Sequence, residues 1–286
     1  MMKKLRIAIL IFFIAVAGVF AYTTIERRLT IDYNAPTIMA DEERISVSIS
    51  ATEEDLLKGM TATDNIDGDV SNTLVVVSES KFTSKGVQQV HYAAFDSNRN
   101  VGTSTREVVY IDYVSPRFRL SAPLRYANGT TGIDYLEHMT AEDCLDGNIT
   151  QQIKISLGKT TAVSSSSVLQ QINVQVTNSG GDTSTLELTA SLEDYLLFSQ
   201  PAPALREYIE YVPCGGVIDL DSYPIGIWAA GGVRSFIDSK LTPDNISVDL
   251  NGLDLNTPGL YKVIYSLTGA DGEALGTAEL IVIVED

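Results

Sequence analysis

Two short acidic turns carry side chains whose type and spacing suit metal binding. Asp64, Asp67 and Asp69 fall within six residues, and Asp143 and Asp146 repeat the spacing of the first two later in the chain. Carboxylate oxygens are the hard ligands that Ca²⁺ prefers, and a calcium ion takes six to eight oxygens at ~2.3 to 2.6 Å. These five aspartates are therefore candidate ligands for calcium.

The same aspartates have a second interpretation as turn residues. An aspartate side chain accepts hydrogen bonds from nearby backbone N–H groups, and the glycine that ends each Asp-x-x-Asp-Gly run adopts a positive φ without strain. The spacing is not that of an EF-hand loop, and Cys144 interrupts the second copy. The sequence by itself leaves calcium binding and turn chemistry as alternatives.

Trp228 is a candidate for ligand binding through its indole ring. It is the single tryptophan and lies in an apolar, glycine-rich stretch over 225–232, close to Tyr223. An exposed tryptophan stacks on a sugar or on a protein partner. The alternative places Trp228 in the core of the C-terminal third of the chain, where we expect no other large aromatic side chain at the centre.

No motif in the chain predicts a catalytic site. The period-2 pattern around His91 directs that side chain away from the core, and His138, the other histidine, directly precedes the second acidic run. The sequence contains no G-x-S-x-G, no H-E-x-x-H, no Walker loop and no dinucleotide fingerprint. Paired carboxylates support glycoside hydrolysis in some enzymes, but in a chain this acidic they carry little specificity. We predict that the protein is not an enzyme.

The charge and the cysteines narrow the classes of partner. The chain has 37 acidic and 20 basic residues and a formal net charge of −17. A field of this sign repels phosphate backbones and anionic lipid, so we expect no nucleic-acid partner. Cys144 and Cys214 lack the C-x-x-C spacing of a zinc site. Whether they pair as a disulfide depends on a Cα separation that the sequence does not show.

The N-terminal 25 residues predict export across a membrane. Lys3, Lys4 and Arg6 precede Ile7–Ile25, which carries no charge over 19 residues, about the length that spans hydrocarbon as a helix. The positive flank keeps the N-terminus in the cytoplasm and places the rest of the chain outside. The segment is either a retained single-pass anchor, which we favour, or a signal peptide cleaved after the Val-Phe-Ala triplet at 19–21, which would release a secreted protein.

The rest of the chain is built from internal repeats. The pair Asp-Tyr recurs at positions 32, 112 and 194, at intervals of 80 and 82 residues. Met60–Ser71 aligns without gaps to Met139–Thr150, and six of the twelve positions are identical, so chance is a poor explanation. Each repeat ends in two predicted strands, the first alternating between apolar and polar residues: 90–94 and 105–112, 172–176 and 185–194, and 263–267 and 277–286.

The pattern predicts an all-β protein of tandem antiparallel β-sandwiches behind the N-terminal helix. The predicted divisions are an anchor or signal at 1–25, a linker at 26–33, and repeats at 34–112, 113–194 and 195–286, the third being diverged. We expect each repeat to bury a core of its own. Gly86 and Gly259 are predicted turn residues, and 52–59 is predicted to be a short helical turn or a polar connection.

The first repeat resembles a known sequence pattern. Ala62–Val70 (ATDNIDGDV), followed by Gly86, by Val90-x-Tyr92-x-Ala94-x-Asp96 and by Asn100, is similar to the bacterial immunoglobulin-like repeat. That repeat occurs in tandem in surface proteins and in pesticidal crystal proteins, and it is related to hyalin-type and cadherin-like sandwiches. The resemblance covers 34–286, but the second repeat keeps only the Asp-Gly part and the third matches only in its last strands.

The resemblance implies an architecture more than an activity. In an immunoglobulin-like topology the acidic turns lie at the pole that faces the linkers containing Asp32 and Asp112. Such repeats serve as stalks, spacers or adhesive modules, so we predict a non-catalytic cell-surface protein with a protein or glycan partner, held in the membrane by its N-terminal helix. A carbohydrate- or cell-wall-binding module centred on the third repeat is the alternative, followed by an exported hydrolase.

Overall fold

Two compact units make up the computed structural model of the protein, which describes residues 2–30, 32–229, 232–239 and 241–286. Unit 1 is Met1–Tyr113 and unit 2 is Val114–Asp286. Both units are built mainly of antiparallel sheets. The predicted fold class, immunoglobulin-like β-sandwiches behind an N-terminal helix, is confirmed.

A long helix, α1, spans Met2–Thr30 at the start of unit 1. Its Leu5–Glu26 stretch is long and apolar enough to cross a membrane, and none of that stretch is buried inside the protein. The side chains of Phe12 and Phe20, for example, are each 71% exposed. A helix suits lipid because it satisfies its backbone hydrogen bonds internally. The helix also extends into the predicted linker at 26–33.

The strands of unit 1 form a sandwich of two sheet layers. One sheet has the order β1-β3-β4 and the other the order β2-β7-β6-β5, with β2 parallel to β7 and the remaining neighbours antiparallel. The elements are β1 (Thr37–Ala40), β2 (Arg44–Val47), α2 (Glu53–Leu57), β3 (Met60–Asp64), β4 (Gly68–Asp69), β5 (Val75–Glu79), β6 (Val87–Phe95) and β7 (Val101–Tyr110).

The core of unit 1 lies between these two layers. Val90, Tyr92 and Ala94 on β6 are fully buried, whereas His91 is exposed, as the alternating pattern predicts. The Tyr92 hydroxyl donates a hydrogen bond of 2.9 Å to the backbone oxygen of Leu56, which satisfies a buried polar group. Segment 52–59 therefore follows the helical alternative, and its helix α2 contributes to the core.

Unit 2 contains two successive pairs of sheets with the same plan. In the first pair the orders are β11-β10-β8 and β12-β13-β14-β9, and β9 is parallel to β14. The elements are β8 (Arg117–Leu120), β9 (Arg125–Ala127), β10 (Met139–Asp143), β11 (Gly147–Asn148), β12 (Lys154–Ala162), β13 (Ser167–Thr177) and β14 (Thr183–Glu193).

The second pair of sheets in unit 2 has the orders β15-β17-β18 and β16-β21-β20-β19, and β16 is parallel to β21. The elements are α3 (Tyr195–Phe198), β15 (Ala202–Leu205), β16 (Ile209–Pro213), β17 (Pro224–Ala229), β18 (Gly232–Arg234), α4 (Phe236–Ser239), β19 (Ile246–Asp249), β20 (Gly259–Thr268) and β21 (Ala274–Glu285). The alternating strands predicted in the three repeats lie within β6, β13 and β20. The predicted closing strands overlap β7, β14 and β21 and extend past their C-terminal ends.

The buried hydrophobic cluster of unit 2 extends over two predicted repeats. Phe118 and Leu188 from 114–194 belong to the same buried cluster as Tyr208 and Tyr265 from 195–286. The Tyr208 N–H donates to the backbone oxygen of Leu120 at 2.9 Å, and β16 packs along β8. The buried cluster therefore contains residues from both sides of the predicted border near 194, and the three-repeat division stays a prediction.

Glycines mark the repeated turns of the chain. Gly68 and Gly147, at the ends of the two aligned acidic runs, adopt φ values of 74° and 69°, and the turn predicted at Gly86 has φ 67°. These values lie in the left-handed region that glycine tolerates best. The prediction for Gly259 is wrong, because that residue begins strand β20; Gly252, with φ 78°, is a positive-φ residue in the loop before it.

Strand β12 is an open edge of its sheet. In the described part of unit 2 it pairs with β13 and with no other strand, and all nine of its residues are exposed. Its pairing shifts between Leu157 and Thr160, where Gly158 lies against the side chain of Gln171. The strand therefore combines a local irregularity with two exposed lysines, Lys154 and Lys159.

Candidate functional site

Three aspartate carboxylates converge at one pole of unit 1. Asp32, Asp64 and Asp96 each contribute an oxygen, and the three oxygens lie within 4.8 Å of one another. The side chains of Asp32 and Asp96 are buried, with 7% and 8% of each residue exposed, and Asp64 is half-buried. We call these residues the three-aspartate cluster. Among the described residues, it is the group of at least three His, Cys, Asp or Glu side chains whose ligand atoms lie this close together.

The sandwich brings the cluster together from strand ends that are distant in sequence. Asp64 is the last residue of β3, Asp96 directly follows β6, and Asp32 precedes β1. Because β1 runs antiparallel to β3, with Thr37 opposite Thr63, the start of β1 and the end of β3 lie at the same pole. The turn from β6 to β7 returns at this pole as well.

Two contacts hold the Asp32 segment against the turn between β6 and β7. The Asn100 side-chain Nδ2 donates to the backbone oxygen of Asp32 at 3.0 Å. Gly102 lies so close to the preceding segment that an added Cβ would stand 1.9 Å from the backbone oxygen of Pro36. The position of Asp32 therefore follows from tertiary packing rather than from its neighbours in sequence.

Backbone groups hold the Asp64 carboxylate at the centre of its turn. Asp64 Oδ1 accepts hydrogen bonds from the N–H groups of Ile66 and Asp67, each at 2.9 Å. The N–H of Asp67, followed by that of Ile66, lowers the pKa of Asp64 below its ordinary value, and partial burial opposes this effect. Asp64 is therefore ionised at neutral pH, and its charge faces the other two carboxylates.

Each of the other two carboxylates also has bonded oxygens. Asp32 Oδ1 accepts from the Asn34 N–H at 2.9 Å, and Asp96 accepts from the Asn100 backbone N–H at 2.7 Å and from its side-chain amide at 2.6 Å. In contrast, Oδ2 of Asp32 and Oδ2 of Asp64 are buried with no hydrogen-bond partner. A buried carboxylate oxygen without a partner is costly, so the cluster favours a positively charged ligand.

The structure brings Asp64 into the cluster but not Asp67 or Asp69. The carboxylate of Asp67 accepts from the Ser97 N–H at 2.8 Å and from the Ser97 hydroxyl at 3.0 Å. Asp69 Oδ1 accepts from the Ser71 N–H at 2.9 Å. These bonds fit the interpretation of the two residues as turn aspartates.

Sequence reasoning missed two members of the cluster. It placed the linker that contains Asp32 at the pole of the acidic turns and treated Asp96 as part of the resemblance, without assigning either residue a ligand role. The signal for Asp96 is its spacing of four residues from Asn100, since the two side chains pair directly. No local signal joins Asp32 to them, because that contact is made only across the fold.

The matching pole of 114–194 has the same turn and different side chains. Asp143 ends β10 and accepts the Asp146 N–H at 3.1 Å, and Asp146 accepts from the Ser179 N–H and hydroxyl at 2.6 and 2.7 Å. Asn178 stands where unit 1 has Asp96, and its Nδ2 donates to Asp143 Oδ2 at 3.0 Å. Here an amide hydrogen bond replaces the contact between two carboxylates.

Asp112 and the cysteines have other local partners. Asp112 accepts from the Ser48 hydroxyl at 2.6 Å and from the Ile49 N–H at 2.7 Å within unit 1. Cys144 and Cys214 are both exposed. The Cys144 thiol lies 3.1 Å from the backbone oxygen of Val114, and the Cys214 thiol lies 3.1 Å from the backbone oxygen of Asn256.

Trp228 is half-buried in β17, opposite Ala202 of β15 and Val233 of β18. Tyr223 and Tyr265 are 1% and 0% exposed and fill the core instead. The expectation that no other large aromatic side chain occupies this core is therefore wrong. Part of Trp228 faces solvent, while 230 and 231 of the predicted stretch lie outside the described residues.

Comparison with known proteins gives distant likenesses. No family model matches the chain. The pesticidal crystal protein Cry22Aa of Bacillus thuringiensis is 23% identical over 259 residues, which are 88% of this chain and 34% of that protein, so the chain spans about a third of the relative's length. This likeness supports an immunoglobulin-like type of repeat in general and not a particular family.

Two solved structures show a weaker likeness. Mouse cadherin-23 EC22-24 is 13% identical with a TM-score of 0.22, covering 88% of this chain and 99% of that one. The structure of CBM51-2 in complex with GlcNAc and INT domains from Clostridium perfringens ZmpB is 16% identical with a TM-score of 0.22, covering 55% and 41%. Likeness at this level carries no argument about function.

Proposed function

We propose that the protein is a non-catalytic, membrane-anchored protein whose immunoglobulin-like units lie outside the cytoplasm and act as a spacer or interaction module. The observation that carries this proposal is helix α1, which exposes an apolar Leu5–Glu26 stretch ahead of two β units. Apolar surface of this extent is stable in lipid or against a partner and unfavourable in water. The basic residues before it favour a cytoplasmic N-terminus.

A retained anchor is favoured over a cleaved signal peptide by the continuity of α1. The helix passes through the Val-Phe-Ala triplet at 19–21 and continues to Thr30 without a break. The hydroxyls of Thr23 and Thr24 donate to the backbone oxygen of Phe20 at 3.1 and 2.7 Å, the bonds that threonine makes to the preceding turn within a helix. The site that a signal peptidase would cut therefore lies within a regular helix.

Protease accessibility tests the proposed location. Intact cells or spheroplasts that express the full chain are treated with protease, and we expect both β units to be digested while a cytoplasmic marker survives. Protection of the units in intact cells, with digestion only after lysis, would contradict the proposal. N-terminal sequencing of the exported protein separates the two forms, because a cleaved product would begin at Tyr22 and an anchored one would keep α1.

A glycan or protein ligand that contacts Trp228 is the second candidate function. The observation that favours it is the half-buried position of Trp228 in β17, with the core filled by Tyr223 and Tyr265. An exposed apolar side chain lies beside it, since Val233, its cross-strand partner, is 50% exposed. Tryptophan is enriched among the residues that dominate binding interfaces.

Binding to a cell-wall or glycan preparation tests this candidate. Trp228→Ala is expected to weaken retention of the full chain by about tenfold or more, because loss of a central aromatic contact costs about 2 kcal/mol or more. Tyr195→Ala removes another aromatic residue of unit 2, one that is 74% exposed, and serves as the matched control. Equal retention of the two variants and the unaltered chain would exclude a role for Trp228.

A further inference from the structure

We propose that the three-aspartate cluster is a binding site for one hard divalent cation, Ca²⁺, formed by Asp32, Asp64 and Asp96. This site differs from the five-aspartate set predicted from the acidic turns and shares only Asp64 with it. The proposal does not depend on where the chain resides or on which partner it has. It rests on the charge, the burial and the unpaired oxygens of the three side chains.

The first argument is electrostatic. Three carboxylates within 4.8 Å of one another repel strongly when ionised. In the described part of the chain, no lysine, arginine or histidine forms an ion pair with any of the three. Two of the carboxylates are more than nine-tenths buried, so water compensates them poorly. A divalent cation supplies the positive charge that the protein side chains do not.

The second argument is the presence of two buried carboxylate oxygens without a hydrogen-bond partner. Oδ1 of Asp32 and Oδ1 of Asp64 are each held by backbone N–H groups. The other oxygen of each carboxylate, Oδ2, is buried and has no protein donor. Turn chemistry accounts for the bonded oxygens but leaves these two unexplained. Buried polar atoms are nearly always satisfied, and a metal ion satisfies both.

The third argument is the contrast with the matching pole of 114–194. Asn178 replaces Asp96 there and donates its amide to Asp143 Oδ2 at 3.0 Å. That oxygen corresponds to Oδ2 of Asp64, which has no donor. One pole therefore satisfies this carboxylate oxygen with an internal hydrogen bond. The other keeps the acidic side chain and needs an external cation.

The arrangement of the ligands favours Ca²⁺ over Mg²⁺. Mg²⁺ demands ~2.0 to 2.1 Å and near-ideal octahedral geometry, whereas Ca²⁺ takes six to eight oxygens in a flexible geometry. The three carboxylates come from separate places in the chain, before β1, at the end of β3 and after β6. Calcium tolerates such irregular arrangements, and waters complete its shell of six to eight oxygens.

Calorimetric titration of the full chain in detergent micelles, after removal of metal by chelator, tests the site. We expect Ca²⁺ to bind at one site per chain and Mg²⁺ to bind more weakly. Asp96→Asn should weaken calcium binding by about tenfold or more, because it removes one of three carboxylate ligands. The same variant should still fold, because it reproduces the Asn178 arrangement that the second pole already has.

Asp69→Asn is the matched control, since it makes the same charge change at the end of β4, outside the cluster, and it should bind calcium as the unaltered chain does. The thermal unfolding of unit 1 is the second readout. At the same concentration, calcium should raise the midpoint for the unaltered chain more than for Asp96→Asn. In chelator that variant should be no less stable than the unaltered chain.

Three results would overturn the proposal. The first is the absence of calcium binding by the unaltered chain at millimolar concentration. The second is binding by Asp96→Asn equal to that by Asp69→Asn, which would place the ion elsewhere. The third is magnesium binding at least as tight as calcium binding, which would show that the site is not selective for Ca²⁺.

Discussion

Single carboxylates at strand ends tie the loops of unit 1 to its sheets. Asp112, two residues after β7, accepts two short hydrogen bonds from Ser48 and Ile49, in the turn after β2. These bonds, from the Ser48 hydroxyl first and the Ile49 N–H second, lower the pKa of Asp112. A carboxyl whose pKa is lower in the folded state stabilises that state above its unfolded pKa, and the contribution disappears as the pH falls through the folded value.

We therefore expect Asp112→Ala to lower the midpoint of thermal unfolding of unit 1 at neutral pH. The difference from the unaltered chain should shrink as the pH is lowered below the ordinary aspartate range. Calorimetry at several pH values checks this. Asp271→Ala, in an exposed turn of unit 2, is the control. A difference that stays constant from neutral to acid pH would show that the Asp112 charge is not responsible.

At the residue scale, the sequence predicts turn roles better than it predicts the cluster. The Asp-x-x-Asp-Gly spacing is local, so the bonds of Asp64 and Asp143 to their own turns follow from it. Asp32 and Asp96 lie far apart in sequence, one before β1 and the other after β6. Their contact depends on how β1, β3 and β6 pack. Spacing in sequence carries no information on that contact.

Glycine at one strand position permits the close approach of two elements. Gly102 in β7 lies beside the segment that leads from Asp32 into β1, and an added Cβ would stand 1.9 Å from the backbone oxygen of Pro36. Such a contact with a backbone atom is relieved only by moving the chain. The position of Asp32, and with it the geometry of the three-aspartate cluster, depends on this approach.

Gly102→Ala should therefore destabilise unit 1 by about 1 to 3 kcal/mol or more, the usual cost of forcing extra volume into a packed site. The variant should also bind calcium less tightly than the unaltered chain. Chemical denaturation gives the free energy of unfolding. Thr103→Ala, at the neighbouring exposed position of β7, is the control and should change little. Equal stability of both variants would show that the β1 segment shifts freely.

At the element scale, period-2 alternation predicts the central strands well because one face of each is buried. Val90, Tyr92 and Ala94 follow this rule, as do Val263, Tyr265 and Leu267. Strand β8 also alternates, with Phe118 and Leu120 buried, but it has only four residues. Short strands carry too few positions for a period to emerge.

At the scale of the whole molecule, the described contacts divide the chain at 113 and 114 rather than into three parts. The repeat border near 194 remains a prediction. The buried cluster of unit 2 contains residues from both sides of it. The sequence repeats at intervals of 80 and 82 residues and therefore predicts the number of sandwiches. It does not show which sandwiches share a core, because that depends on a few side chains of the segment between them.

We expect Leu120→Ala to weaken both halves of unit 2 together. Leu120 is 3% exposed in the shared cluster, and removal of a buried leucine side chain costs about 2 to 5 kcal/mol. Hydrogen exchange should then rise in β13 and in β20, while β6 of unit 1 stays protected. Leu157→Ala on β12, at a position 59% exposed, is the control. Faster exchange in β13 alone would show that the halves unfold separately.

The open strand β12 affects the tendency of the protein to associate at high concentration. An exposed edge offers unpaired backbone groups to a neighbouring molecule, and charged side chains and irregular pairing are the usual protections against such association. Lys154, Lys159 and the irregularity at Gly158 place both protections on this strand. Replacing both lysines with valine should make the protein prone to aggregation at high concentration, as measured by light scattering. The positive charges of Lys154 and Lys159 would then keep the protein soluble by opposing association at this edge.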